Sequence, residues 1–192
     1  MQTCTRPVQL GLTTVAAGRW LRLDEIRYAD HHGRNRTWES AARQHQHGAV
    51  MVIAVLRPSG RYVLVRQYRP PLDRYTLEFP AGLIDPAEPP ATTAVRELRE
   101  ETGYSGTISW FGPACYSSPG MTSEFTHIAR MDVDENLEPN RNPQTAFDEG
   151  EDLEILLCRQ AEIPGLLQRQ QADGTALDSK LVAFFLGAGV LG

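Results

Sequence analysis

The run Arg96-Glu97-Leu98-Arg99-Glu100-Glu101-Thr102-Gly103 holds three carboxylates at helical spacing. Glu97 and Glu101 stand at i and i+4, with Glu100 three positions after Glu97, so all three share one face while Val95 and Leu98 turn to the core. A charge run of this kind is ordinarily a solvated face, but its cost argues otherwise. Like charges at i and i+4 disfavour a helix by about 0.2–0.5 kcal/mol, and each anion in a last turn opposes the helix dipole by about 0.3–1 kcal/mol. Arg96 offsets part of this through an i, i+4 pair with Glu100, whereas Glu97 and Glu101 keep no local cation on their face. A divalent ion bound between them would reverse the sign of the arrangement. Ligands that are all oxygen point to a hard cation, magnesium first and manganese second.

The elements that must position these acids follow from periodicity. Ala91, Ala94, Val95, Leu98 and Thr102 recur at helical spacing from about Pro90, and Gly103 suits the position just past a helix end. Ahead of the helix, Ala49–Leu56, Tyr62–Tyr68 and Tyr75–Phe79 read as strands, Pro58-Ser59-Gly60 as a turn, and Pro80-Ala81-Gly82 as a break. Thr107–Phe111, Thr126–Val133 and Leu153–Cys158 are further strands, and helices near Ile163–Gln171 and Ala176–Leu186 finish the chain. Strands, helix, strands, helix predict an α+β fold with a mixed sheet covered by helices, not a doubly wound parallel sheet. Before Gly48 the apolar mass is thin: a strand over Arg19–Asp30, a turn at His31-His32-Gly33-Arg34, and a polar return over Thr37–Gln46. The division expected is an N-terminal β arm over 1–47 and a main domain over 48–192, with the arm packing on the main domain or on a second subunit.

Composition excludes several classes. The 192 residues are 41% apolar and 22% charged, a fraction typical of a folded domain and not of a disordered chain. The net charge of -5 opposes non-specific nucleic-acid binding, which needs a basic face. Cys4, Cys115 and Cys158 form no C-x-x-C pair and no disulfide framework, which suggests reduced thiols and a cytoplasmic setting. Residues 1–19 lack the form of a secretory signal, and the most apolar run, Leu181–Leu191, is too short to span a bilayer and reads as a buried helix. Of the basic residues 18 are arginine and only Lys180 is lysine; genome composition explains this, and so does a need for fixed donor forks that bind phosphate in pairs. None of the five histidines forms a zinc pattern.

Gly82, five residues, Glu88, seven residues, Arg96-Glu97-Leu98, one residue, Glu100-Glu101, one residue, Gly103 resembles the signature of the Nudix hydrolases at every fixed position, with Tyr104 where the family pattern has an aliphatic residue. The resemblance implies an α/β/α sandwich in which Glu97 and Glu101 are principal metal ligands. Glu100 stands close by, the Ala81 carbonyl completes the shell, and Arg96 orients the glutamates. Glu88 is more often structural than a direct ligand. Outside this box, Gln67-Tyr68-Arg69-Pro70, Leu77-Glu78-Phe79-Pro80 and Ser118-Pro119-Gly120 resemble the dimeric ADP-ribose and ADP-sugar pyrophosphatases.

That branch implies magnesium-dependent hydrolysis of ADP-ribose or an ADP-sugar to AMP and a sugar phosphate, by a homodimer with exchanged arms. Trp20 and Trp38, otherwise packing residues, would stack on the two faces of adenine, one from each subunit. Glu39 would meet the adenine edge and Met121 would line the nucleoside pocket. Arg43 and Arg69 would be diphosphate and ribose contacts; on their own they read as surface ion pairs. The attacking water also needs a base. In the acidic loop Phe147-Asp148-Glu149-Gly150-Glu151-Asp152, Glu151 aligns best and Glu149 nearly as well. Two other readings stay open: a hydrolase of other nucleoside diphosphate derivatives, such as a GDP-sugar or an oxidised nucleotide, and an ADP-ribose sensor without catalysis.

Overall fold

The computed structural model describes residues 6–44, 48–147 and 152–191. The chain divides into two compact units, one formed by 1–48 with 114–126 and the other by 49–113 with 127–192.

The first unit is built on an antiparallel meander of β1 (Val8–Ala17), β2 (Leu21–Ala29) and β3 (Asn35–Arg43). The strand over Val8–Ala17 was not expected. Its register slips between Gln9 and Gly11 and again between Thr14 and Ala16. The β2–β3 turn is held by the Asp30 carboxylate, which accepts the backbone N–H groups of His32 (2.9 Å) and Arg34 (3.0 Å). Segment 114–126 lies along β3: the Ala41 N–H donates to the Met121 carbonyl at 2.9 Å, and Ala41 and Thr122 form a parallel bridge.

The second unit begins with β4 (Ala49–Arg57), β5 (Arg61–Arg69), β6 (Arg74–Glu78) and β7 (Ala81–Leu83), followed by α1 (Pro90–Thr102). Next come β8 (Thr107–Phe111), β9 (Thr126–Asp134), the short α2 (Glu138–Arg141), β10 (Leu153–Arg159), α3 (Ile163–Ala172), β11 (Ala176–Leu177) and α4 (Ser179–Gly187). Sheet order is β11-β6-β5-β4-β9-β8, with β10 also on β5 and β7 also on β4. The β11–β6 pair is parallel while β4–β5, β5–β6, β5–β10 and β8–β9 are antiparallel, so the sheet is mixed.

Every residue from Val50 to Leu56 is buried, as a central strand covered on both faces requires. Met51, Ile53, Val55, Tyr62, Leu64, Leu77 and Phe79 share one core cluster with Ile163, Leu166 and Leu167 of α3 and Leu181 and Phe185 of α4, while α1 packs on β4 and β7. This is the α+β sandwich expected, with two differences. Residues 81–83 extend the sheet where only a break was expected, because Ala81, Gly82 and Leu83 pair with Met51, Val50 and Ala49. Helix α4 starts at Ser179 instead of Ala176; Asp178 caps it, accepting the backbone N–H groups of Lys180 (2.8 Å) and Leu181 (3.2 Å). Among the described residues no helix is long and apolar enough to cross a membrane.

Candidate active site

Helix α1 opens with Pro90 at its first position and closes at Gly103, whose φ of 73° permits its N–H to reach the Arg99 carbonyl at 2.8 Å. Thr93, Ala94, Leu98, Glu101 and Thr102 are buried and set its rotation. Val95, expected inward, is 41% exposed, because the buried stripe runs through Ala94, Leu98 and Glu101 and leaves Val95 off it.

That rotation brings the acids against the 81–83 strand. Glu101 is buried, and its Oε2 accepts the Ala81 backbone N–H at 3.0 Å. Glu97 lies over Gly82: a Cβ there would fall 1.9 Å from the Glu97 carboxyl carbon and 2.0 Å from its Oε1. Any other residue at position 82 would expel this carboxylate, so glycine is required for close approach, not for its backbone angles.

The expectation that Glu97 has no cation on its face is corrected. Arg96 Nη1 donates at 2.8 Å to both Glu97 Oε1 and Glu100 Oε2, bridging the two carboxylates. The guanidinium is held from behind by Glu88, which accepts Nε at 3.2 Å and Nη2 at 3.0 Å, and Glu88 is fixed by the Thr93 hydroxyl at 2.8 Å. The Glu88 partnership drives the Arg96 pKa well above its ordinary value, against the effect of burial. Reciprocally, the Arg96 hydrogen bond lowers the Glu88 pKa, with Thr93 adding to it and burial opposing. Thr93 and the position of Glu88 behind Arg96 were not anticipated; the i, i+5 and i, i+8 spacings from Glu88 cross the helix start, where periodicity says nothing about contacts.

Among the described residues no three His, Cys, Asp or Glu side chains converge as a ready metal cage. The donor set nevertheless fits a divalent cation. Its groups are carboxylates and a backbone carbonyl, Gly82 leaves the space that Glu97 fills, and a single cationic group, Arg96 Nη1, already lies between two of the acids.

Arg69, on β5, makes a two-pronged pair with Glu78 on β6, Nε to Oε1 at 2.8 Å and Nη2 to Oε2 at 2.7 Å. In the first unit Arg43 pairs with Glu124. Trp20 and Trp38 are exposed at 65% and 51%, with Arg19 stacked 4.6 Å from the Trp20 ring centroid and the Trp38 indole N–H donating to the Gly120 carbonyl at 2.9 Å. Met121 is exposed, and Glu39 is exposed and faces Glu25 across the β2–β3 register. Glu149 and Glu151 lie outside the described residues. Just before them, the Ala146 N–H donates to the Glu100 carbonyl at 2.8 Å, joining that segment to the last turn of α1.

The chain matches the family model described as NUDIX domain over residues 45–178. It is 34% identical to the ADP-sugar pyrophosphatase of Mus musculus, covering 90% of this chain and 83% of the mouse protein. It is also 34% identical to the ADP-ribose pyrophosphatase of Saccharomyces cerevisiae, over 85% of this chain and 74% of the yeast protein. A crystal structure of an ADP compounds hydrolase superposes with a TM-score of 0.68 at 25% identity, over 88% of this chain and 86% of the other. With the box residues standing on one helix face against the Gly82 strand and the domain match spanning most of the chain, the protein belongs to the Nudix family.

Proposed function

We propose that the protein hydrolyses the diphosphate bond of ADP-ribose or a related ADP-sugar, releasing AMP and a sugar phosphate, with magnesium as the working ion. The observation that carries this reading is the juxtaposition of Ala81, Gly82, Glu97 and Glu101, in a chain whose relatives over most of its length include ADP-sugar and ADP-ribose pyrophosphatases.

In this reading the Ala81 carbonyl with Glu97, Glu100 and Glu101 holds the metal. A bound divalent ion supplies positive charge against the diphosphate and makes a phosphorus more electrophilic. The remaining work falls to the chain. Arg96 keeps Glu97 and Glu100 oriented, and Glu101 is aligned by the Ala81 N–H. Glu151 or Glu149 takes the proton of the attacking water as the new P–O bond forms and the bridging oxygen leaves. Arg43 and Arg69 bind the diphosphate and ribose, Trp20 and Trp38 stack on adenine, Glu39 meets its edge, and Met121 lines the nucleoside. The arm over 1–47 serves dimerisation and adenine binding, and the working form is a cytoplasmic homodimer with exchanged arms. Exposed Val8, Leu10, Leu12, Val15, Trp20 and Trp38 support that assembly.

The test is a product assay with magnesium over ADP-ribose, other ADP-sugars, GDP-mannose and oxidised nucleotides. AMP with ribose phosphate as the leading products is the expected result. Preferential cleavage of GDP-mannose or an oxidised nucleotide would replace the substrate assignment, and tight binding of ADP-ribose without cleavage of any compound would make the protein a sensor.

A further inference from the structure

Glu78 has no place in the metal site, yet its geometry is that of a working part. It ends β6, opposite Val65 of β5, and only 12% of its side chain is exposed, against 42% for Arg69. The acid is therefore the buried member of the pair and the guanidinium the outward one. Its backbone origin is fixed on both sides. The preceding Leu77 carbonyl accepts the Asp178 N–H at 3.1 Å, the following Phe79 is buried, and the Pro80 carbonyl accepts the Val52 N–H at 2.7 Å. Next in the chain is Ala81, bonded to Glu101.

A guanidinium is a planar fork of five N–H bonds. Glu78 takes the Nε–Nη2 edge in two bonds of 2.8 and 2.7 Å, so the other three N–H bonds lie on edges turned away from the carboxylate. An arginine held at one edge cannot swing or roll, and it meets a phosphate with the rotamer cost already met. The pair also holds the Arg69 proton more firmly, the Glu78 hydrogen bonds outweighing the effect of burial.

We propose that Glu78 is a positioning residue for substrate binding, presenting the free edge of Arg69 to the diphosphate of a nucleoside diphosphate sugar. This rests on the reading of Arg69 as a substrate contact and adds to it a residue acting only through that arginine.

A double-mutant cycle on the full chain tests it, with kcat and KM for ADP-ribose measured for the parent, Arg69→Ala, Glu78→Gln and the double variant, together with melting temperatures. Gln keeps the shape of Glu but replaces one acceptor with a donor, so one prong is lost. Glu78→Gln is expected to raise KM about tenfold, more than it lowers kcat. In the Arg69→Ala background the same change should move KM by less than about twofold. A purely structural Glu78 would lower the melting temperature and shift the constants equally in both backgrounds, and that result would overturn the proposal, as would a kcat effect with KM unchanged. If Arg69→Ala leaves KM at the parental value, the substrate role of Arg69 is wrong and Glu78 falls with it. If Arg69→Ala raises KM and Glu78→Gln does not, only the positioning role is wrong. Should Glu78→Gln fail to fold, Glu78→Asp replaces it; one methylene shorter, it draws the carboxylate back from the guanidinium edge and is expected to show the same KM shift and the same dependence on Arg69.

Discussion

Strands β1 and β4 are nearly equal in length and opposite in surroundings. In β4 every residue from Val50 to Leu56 is buried, whereas in β1 Val8, Leu10, Leu12 and Val15 are all about half exposed. Strand β4 lies inside a sheet with helices on both faces, and β1 is the outer strand of a three-stranded sheet. Apolar content alone does not distinguish a strand that builds a core from one that offers a surface; the number of covering layers does. The frame that carries Ala81 and α1 is packed on both faces, while the region that carries Trp20 and Trp38 leaves apolar side chains exposed.

The sharpest separation should appear in stability. Leu64→Ala opens a cavity in the main core and is expected to cost about 2–5 kcal/mol in chemical denaturation. If it were as mild as a surface change, the core assignment would fail. Glu97→Gln should leave that stability intact and lower kcat by about 10²–10³, consistent with loss of charge at the transition state; Glu101→Gln should act likewise, and parental turnover with magnesium in either variant would remove the metal assignment. Trp20→Ala or Trp38→Ala should raise KM by about fivefold or more, from about 1–3 kcal/mol of base stacking, with a smaller change in kcat. Unchanged constants in both would end the adenine role. Leu12→Ala should change the stability of a lone chain by no more than about 0.5 kcal/mol. In the proposed dimer its destabilising effect should be larger at high protein concentration and fall back towards that value on dilution, which denaturation at two concentrations would reveal, with sedimentation reporting the weaker association.

The smallest expected effect is on acid stability. The Glu88 pKa is lowered from 4.5 in the folded chain, chiefly by the Arg96 hydrogen bond. Its contribution is therefore fully present above pH 4.5 and is lost as pH falls through the lower folded value. Glu88→Gln should flatten that acid limb of the denaturation profile and leave the neutral region nearly level in slope.

The elements of the main domain were legible because they follow simple periods: valine-rich strands, a helix with one buried stripe, a glycine stop at Gly103. What escaped was whatever lay outside the core or crossed between elements. Strand β1 alternates over Val8, Leu10 and Leu12, but none of these side chains enters the core around which the other strands were placed. The β5–β6 register pairs Arg69 with Arg74 and Glu78 with Val65, four residues further along, so the Arg69–Glu78 contact comes from side-chain reach and not from strand pairing. Glu97 was read as lacking a cation because helical spacing ranks i, i+4 partners above the adjacent residue, while the long Arg96 side chain folds back to reach both acids. The box could be recognised from residue identities alone, but the service of Gly82 as empty space arises only where the 81–83 strand meets Glu97.

Arg96, closed on Glu97 and Glu100 and anchored by Glu88 and Thr93, also says something about how such an enzyme is made and kept. One guanidinium ties three carboxylates together before any ion arrives, so the acidic turn keeps its shape while retaining the net negative charge that draws the ion in. Stripping the protein with a chelator should therefore yield an idle but intact catalyst, with the same circular dichroism and melting curve, that resumes turnover on adding back the ion without passing through a refolding step.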